Sequence, residues 1–243
     1  MSGKPLEGQV ALVTGAAKRI GRSIALRLGN DGAAIAVNYH TSEGAAKSLV
    51  GEIESLGCRG LAIQADVSRR EDVGKMVAIV EREFGRLDIL VNNAGVFFPA
   101  RLEDLTDTQW DRVIDTNLKS QFLCTQAAVP LMKRQGRGRI INLSSVGGLL
   151  AWPAYTHYCV SKAGVIMLTR CLARALAPEI LVNSVAPGTI QFPGELPDEE
   201  YIRRVPLHRT GTGEDVADAV AYLATAGFVT GQTIVVDGGR ALV

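Results

Sequence analysis

The strongest constraint on the fold is the regular alternation of short apolar runs with longer amphipathic segments. Seven runs rich in β-branched and aliphatic residues are typical of strands, at 10–15, 33–39, 60–67, 87–95, 139–145, 180–188 and 232–239. The segments between them predict helices at 19–32, 42–56, 70–84, 107–135, 155–177 and 213–225. Nearly all-apolar strands, each followed by a helix, are buried on both faces. The pattern therefore predicts an α/β fold with a doubly wound, parallel seven-stranded sheet flanked by helices.

No linker, repeat or low-complexity segment divides the chain, so residues 1–243 are predicted to form a single domain. The proline-rich stretch that begins at residue 188 is the one irregular segment. It predicts a loop with a short helix, at about 188–205, beside the ligand site.

The charges are nearly balanced, with 26 basic residues, 25 acidic residues and a formal charge of +1. This balance gives no general attraction to nucleic acid or to a membrane surface, so a small-molecule partner is expected. No apolar run is long enough to span a bilayer, and the N-terminal segment does not resemble a signal peptide. Four cysteines without paired spacing are interpreted as buried, reduced thiols of a cytoplasmic protein, and three scattered histidines predict no metal site.

The unusual segments of the chain lie where the predicted strands end: TGAAKRIG, NYHTS, ADV, NNAGVFFP, NLSS and APGTIQFP. Ligands of a parallel sheet bind beyond the carboxyl ends of its strands, so one elongated site is expected there. In TGAAKRIG, Gly15 permits a tight turn and Gly21 lets the following helix pack close to the sheet. The free N–H groups at the start of that helix would then face a pyrophosphate.

The segment YCVSK places Tyr158 and Lys162 one turn apart on a predicted helix. Together with TGAAKRIG, the NNAG of residues 92–95, Asn117, Ser145 and the late Pro187–Gly188, in this order and spacing, it makes the chain resemble the short-chain dehydrogenase/reductase family along nearly its whole length. The resemblance implies a Rossmann fold and an oxidoreductase. Arg19 is a departure, because it stands where the family's TGxxxGxG turn has its middle glycine.

The resemblance implies a nicotinamide dinucleotide, and the end of the second strand favours NADP(H). Members that prefer NAD usually have an acidic residue there, whereas this chain has Tyr39 and no carboxylate before Glu43. Cations and hydroxyl groups that suit a 2′-phosphate lie nearby instead. The implied cofactor-binding residues are Gly15, Lys18, Arg19, Ile20, Gly21, Tyr39, His40, Thr41, Ser42, Asp66 (to the adenine amino group), Val67, Asn93 (near the adenosine ribose), Ala94, Gly95, Tyr158, Lys162, Pro187, Gly188 and Ile190.

The same resemblance implies a catalytic set of Asn117, Ser145, Tyr158 and Lys162. A free tyrosine has a pKa near 10, and the nearby ammonium of Lys162 is expected to lower the pKa of Tyr158 toward neutrality. Tyr158 would then give its proton to the substrate oxygen while Ser145 holds that oxygen. Asn117 would support a water that connects Lys162 to solvent. His157, next to the tyrosine, is expected to serve packing only.

Two groups within the family compete for the substrate. The chain is similar to 3-oxoacyl-[acyl-carrier-protein] reductases, and Ser145 suits a ketone or 3-oxoacyl carbonyl. It is also similar to the TGxxxRxG pteridine reductases, through Arg19, Phe97 and Phe192–Pro193, and a pterin could stack on Phe97. Expected substrate contacts are Phe97, Ser145, Tyr158 and Phe192. Glu179, where carrier-dependent members tend to have arginine, weakens the case for a carrier protein. A non-catalytic NADPH-binding sensor or scaffold is the remaining alternative.

Self-association is expected as well. The predicted helices at 107–135 and 155–177 have apolar residues beyond one face, among them Phe122, Leu123, Met167 and Leu168. By resemblance, these helices should pair with their copies in a two-fold-symmetric homotetramer.

Overall fold

The computed structural model describes residues 3–196 and 198–243. Seven parallel strands form one sheet in the order β3-β2-β1-β4-β5-β6-β7, which confirms the predicted fold class. The strands are Val10–Val13 (β1), Ala34–Tyr39 (β2), Gly60–Gln64 (β3), Ile89–Asn92 (β4), Gly138–Leu143 (β5), Ile180–Pro187 (β6) and Thr233–Val236 (β7). The order reverses between β1 and β4, so the crevice of a doubly wound sheet opens there.

The α-helices lie between the strands as the sequence predicts. They are Arg19–Asn30 (α1), Glu43–Ser55 (α2), Arg70–Phe84 (α3), Asp107–Ile114 (α4), Ser120–Arg134 (α5), Thr156–Leu176 (α6), Glu199–Arg204 (α7) and Gly213–Thr225 (α8). The short helix expected within 188–205 is α7. None of the described helices is long and apolar enough to cross a bilayer.

The core has two layers because side chains alternate across each strand. On β1, Ala11 and Val13 pack into one layer with α1, α2 and α8, whereas Val10 and Leu12 pack into the other with α3 and α5. Burying a leucine such as Leu12 contributes about 2 kcal/mol, so the sheet is stabilised on both faces.

The strand registers bring the site segments to one edge. Val13 is paired with both Val37 and Val91, so the segments that follow β1, β2 and β4 leave the sheet side by side. The predicted strands at 60–67 and 87–95 extend beyond the observed ends of β3 and β4. The extra residues leave the sheet and line a cavity at its edge.

The helix predicted over 107–135 is interrupted by a π turn at Asp115–Lys119, where the backbone N–H of Ser120 donates to Asp115, five residues earlier. Two further expectations are wrong. Leu123 is only 3% exposed and belongs to the core, so it cannot take part in an outer face. Cys171 is exposed, and only Cys124 of the four free cysteines is fully buried.

Candidate active site

A cavity of about 900 Å³ lies at the carboxyl edge of the sheet. Most of the predicted site residues line it: Gly15, Lys18, Arg19, Ile20, Gly21, His40, Asp66, Val67, Asn93, Ala94, Gly95, Phe97, Ser145, Tyr158, Lys162, Pro187, Gly188, Ile190 and Phe192. Four predicted residues lie outside its lining, namely Tyr39, Thr41, Ser42 and Asn117. One elongated site thus brings the glycine turn and the tyrosine–lysine pair together.

The glycine turn has the geometry that a pyrophosphate needs. Gly15 has φ of 60°, and its N–H donates to Asn38 Oδ1 at 3.1 Å. A Cβ on Gly21 would lie 2.5 Å from the carbonyl oxygen of Gly15, so only glycine fits this close approach. No side chain caps α1, which leaves its first N–H groups available to an anion. These residues fit a dinucleotide.

Asn93 stabilises this turn. Its Nδ2 donates to the carbonyl oxygens of Thr14 and Gly15 at 2.8 and 3.1 Å. The Asn93 amide is therefore engaged by the protein backbone, although the sequence prediction had assigned the residue to the adenosine ribose.

Arg19 has an unusual backbone and an unexpected partner. Its φ of 55° lies in the left-handed region, which is where the family has glycine. The guanidinium forms an ion pair with Glu195 and lies 4.3 Å from the centre of the Phe192 ring. Arg19 thus connects the glycine turn to the 188–205 loop, and recognition of a 2′-phosphate by Arg19 would require it to leave Glu195.

Further residues predicted to contact the adenosine part of the cofactor follow β1, β2 and β3. Lys18 and His40 are exposed, whereas the side chain of Tyr39 is buried in the core. Burial acts to raise the pKa of Asp66, but two hydrogen bonds from Ser68, together with the nearby His40 and Arg69, outweigh it, and the net pKa is lowered. An ionised Asp66 can accept a hydrogen bond from an amino group.

Lys162 is buried at the centre of the catalytic wall, 5% exposed. Its Nζ donates to the carbonyl oxygen of Leu143, the last residue of β5, at 2.8 Å, and lies 5.8 Å from the centre of the Tyr158 ring. Burial lowers the pKa of Lys162 to about 8. The Lys162 ammonium is therefore close enough to interact with the Tyr158 phenol, but its burial costs hydration free energy.

Tyr158 departs from expectation in its pKa. Burial raises the pKa of the phenol, and hydrogen bonding with Ser145 opposes this increase only in part. Lys162 was expected to depress this pKa, but burial raises it. The structure therefore holds Tyr158 as a neutral phenol at pH 7, the form that can donate a proton.

Asn117 is fully buried behind this wall and makes three hydrogen bonds. Its Oδ1 accepts from the N–H of Val96 at 2.7 Å, and its Nδ2 donates to the carbonyl of Val96 at 3.0 Å and to Ser161 Oγ at 3.3 Å. A Cβ on Gly95 would lie 3.2 Å from Asn117 Oδ1 and 3.7 Å from Lys162 Nζ. Asn117 thus lies near the lysine, with its side chain bound to the protein.

Aromatic rings surround Tyr158. Trp152 lies parallel to it with centroids 6.2 Å apart, and the edge of Phe97 meets it at 4.7 Å. Tyr155 stacks on Phe97 at 4.6 Å and 3°. One face of Phe97, the ring expected to stack on a pterin, is therefore already covered by Tyr155.

The cavity is also lined by residues to which the sequence assigned no role: Asn38, Ala65, Ser68, Val96, Arg112, Asp115, Thr116, Leu143, Ser144, Trp152 and Thr189. Asn38 could have been recognised, because it is a polar residue inside the apolar strand AIAVNY. His157 is buried against Phe98, as expected for a packing residue. Among residues 3–196 and 198–243, no cluster of His, Cys, Asp and Glu side chains could hold a metal ion.

Known proteins share this fold and much of this sequence. Residues 15–241 match the family described as Enoyl-(Acyl carrier protein) reductase. The 3-oxoacyl-[acyl-carrier-protein] reductase FabG of Staphylococcus aureus (strain N315) is 48% identical over 237 residues, covering 94% of this chain and 96% of its own. The 3-oxoacyl-[acyl-carrier-protein] reductase of Synechocystis sp. is 42% identical over 243 residues, covering 98% of each chain.

Solved structures agree with these sequence relatives. Acetoin dehydrogenase from Enterobacter cloacae has a TM-score of 0.91 at 35% identity, covering 97% of this chain and 96% of its own. A mutant short-chain dehydrogenase/reductase from Serratia marcescens has a TM-score of 0.92 at 36% identity, covering 98% and 99%. The chain therefore belongs to the short-chain dehydrogenase/reductase family of oxidoreductases.

Proposed function

We propose that the chain is an NADPH-dependent reductase of a carbonyl group in a ketone or 3-oxoacyl-type substrate, with Tyr158 as the general acid. The observation that carries this function is the position of Ser145, Tyr158 and Lys162 along one cavity with the glycine turn. A scaffold that only binds the cofactor has no need of all three groups.

The chemistry of each residue follows from its position. A bound nicotinamide supplies the hydride to the carbonyl carbon. As negative charge develops on the substrate oxygen, Tyr158 donates its phenolic proton to that oxygen and the Ser145 hydroxyl donates a hydrogen bond. The Lys162 ammonium, 5.8 Å from the Tyr158 ring centre, stabilises the phenolate that remains.

The substrate class is supported by the relatives and by the aromatic wall. Both sequence relatives named above are 3-oxoacyl-[acyl-carrier-protein] reductases. The pteridine alternative is not favoured, because Ser145 suits a carbonyl and Tyr155 covers a face of Phe97. A cytoplasmic setting belongs to the same proposal.

An assay of NADPH oxidation across a ketone, a 3-oxoacyl thioester and a dihydropterin tests the function. We expect turnover of the thioester or the ketone, and loss of that turnover in Tyr158→Phe. Turnover of the pterin alone would establish the alternative reductase. Tight NADPH binding without any turnover would establish the sensor or scaffold.

The cofactor preference rests on the basic residues of the cavity lining that follow β1 and β2. Lys18 and His40 lie there, and Arg19 is paired with Glu195, so Lys18 is expected to contribute most to binding a 2′-phosphate. NADPH should bind at least about tenfold more tightly than NADH, and Lys18→Ala should remove most of this difference. Fluorescence titration measures the NADPH and NADH affinities of the wild type and of Lys18→Ala. Lys47→Ala, which changes an exposed lysine on α2, is the control. Equal affinities in the wild type would exclude this explanation.

A further inference from the structure

The π turn that holds Asn117 receives side-chain donors from the start of α5. A π turn moves the backbone hydrogen bond from the fourth to the fifth residue, and here the N–H of Ser120 donates to the carbonyl of Asp115. Two side chains donate to the next two carbonyls. Ser120 Oγ donates to the carbonyl of Thr116 at 2.5 Å, and Gln121 Nε2 donates to the carbonyl of Asn117 at 3.0 Å. The wide turn is thus stabilised by the first residues of α5.

Gln121 also reaches the catalytic wall. Its Nε2 donates to the carbonyl oxygen of Leu143 at 3.2 Å. The same oxygen accepts the ammonium of Lys162 at 2.8 Å. A single side-chain amide therefore connects the turn bearing Asn117 with the carbonyl that holds the catalytic lysine, two residues before Ser145.

The burial of Gln121 indicates that its amide does more than fill space in the core. The side chain is 1% exposed, and its Oε1 has no hydrogen-bond partner among the described residues. A buried, unsatisfied amide oxygen costs about 1–3 kcal/mol, a cost that an apolar side chain at this position would avoid. The amide is best explained by the two carbonyls that it holds.

We propose that Gln121 is a positioning residue for carbonyl reduction, whose amide fixes the Leu143 carbonyl against the Asn117 turn and thereby keeps the Lys162 ammonium beside Tyr158. Its role in catalysis rests on the proposed function. Its effect on the tyrosine can be measured without turnover.

The kinetic test compares Gln121→Met, which keeps the volume but loses both donors, with Gln121→Asn, which keeps an amide that is one methylene too short. If Lys162 loses its alignment with Tyr158, kcat should fall by about 10- to 100-fold. KM for substrate and cofactor should change by less than about twofold, because Gln121 does not line the cavity. Thr125→Val is the matched control. It lies one turn further along α5, equally buried, and its hydroxyl accepts from Asn92 rather than bonding the catalytic wall.

A titration of tyrosine ionisation provides the readout that a structural role would not change. The chain has five tyrosines, so the contribution of Tyr158 is obtained as the absorbance difference between each protein and its Tyr158→Phe form. A phenolate at Tyr158 holds the proton on Lys162 above the pKa that Lys162 has beside the neutral phenol. When the Leu143 carbonyl no longer orients that ammonium, the phenolate loses support and the Tyr158 midpoint should increase by at least about half a pH unit. Thr125→Val should keep the wild-type midpoint.

The outcomes separate this inference from the proposed function. If the wild type reduces no carbonyl, the function fails, and the tyrosine titration still tests Gln121. Gln121 variants that lose thermal stability but keep the wild-type midpoint and kcat would show a structural role only and overturn the inference. A rise in the cofactor KM that accompanies the fall in kcat would overturn the inference as well. If Gln121→Met does not fold, Gln121→Asn is used for the test.

Discussion

Lys162 is the residue in which stability and proposed chemistry conflict most directly. The carbonyl of Leu143 holds its ammonium, but the side chain has lost nearly all contact with water. Burial lowers its pKa from the ordinary value of 10.5 to about 8. At pH 7 the folded chain must therefore bury a cation that the unfolded chain keeps hydrated, a cost that natural proteins accept at functional sites.

Lys162→Met should therefore raise the free energy of unfolding at pH 7 by roughly 3 kcal/mol, the order of magnitude of such a pKa shift. Below about pH 8, Lys162 is protonated in both the folded and the unfolded wild type, so the free-energy cost of burying its charge is constant. Between pH 8 and 10.5 only the folded state releases the proton, so wild-type stability rises relative to the variant, and the difference disappears above 10.5.

Urea unfolding at pH 7 and pH 10 measures this stability difference. Lys133→Met, at an exposed position on α5, is the control and should change stability by less than about 0.5 kcal/mol. A Lys162→Met protein less stable than the wild type at pH 7 would contradict the assigned cost of burial.

Tyr158→Phe removes the transferable proton and keeps the ring within its aromatic surroundings. Turnover should fall by about 10²–10⁴-fold, the usual contribution of a positioned acid. NADPH affinity should hardly change, because the phenol is not a main cofactor contact. Steady-state kinetics and a binding titration measure the two quantities, and retention of more than about a tenth of wild-type turnover would exclude Tyr158 as the general acid.

At the scale of elements, the start of α1 has a strained backbone. Arg19 adopts φ of 55°, a conformation that glycine reaches without cost and other residues do not. Arg19→Gly and Arg19→Ala both remove the contacts with Glu195 and Phe192, but only glycine removes the strain. Arg19→Gly should therefore be about 1 kcal/mol more stable than Arg19→Ala in thermal or urea unfolding. Equal stability of the two variants would show that the turn relaxes without a glycine.

Element boundaries were predictable where local chemistry marks them. Helix α3 ends at Gly85, whose φ is 72°, and α8 begins after Thr212, which forms a capping box with Asp215, so both helices were predicted to the residue. The π turn was missed because helical periodicity continues through 107–135. Its stabilising contact between Gln121 and Leu143 joins elements 22 residues apart.

The site was predictable to the same extent. Tyr158 and Lys162 share one helical turn, which a sequence motif records directly. Arg19 and Glu195 are 176 residues apart, and Trp152 reaches Tyr158 only because a neighbouring glycine, Gly147, leaves room for its ring. Contacts of this kind depend on tertiary packing and leave no spacing in the sequence.

At the scale of the whole molecule, the two long helices expose apolar side chains. Phe122 on α5 is 39% exposed, and Met167 on α6 is 55% exposed. Val160 on α6 is exposed too, and Leu168 is half-buried, whereas Leu123 points into the core. Apolar groups grouped on neighbouring helices favour association, and a two-fold axis would let each helix meet its own copy.

We therefore predict a homotetramer that Met167→Glu disrupts. Sedimentation at micromolar concentration should give a mass about four times the 25.9 kDa of one chain for the wild type. Met167→Glu would bury a charge without a partner at the interface, so its mass should fall to that of a dimer or monomer while its circular dichroism stays native. Lys133→Glu, an exposed change on α5 away from these apolar groups, should remain tetrameric. A wild-type chain that sediments as a stable monomer would refute the assembly. The apolar side chains on α5 and α6 would then remain exposed to solvent.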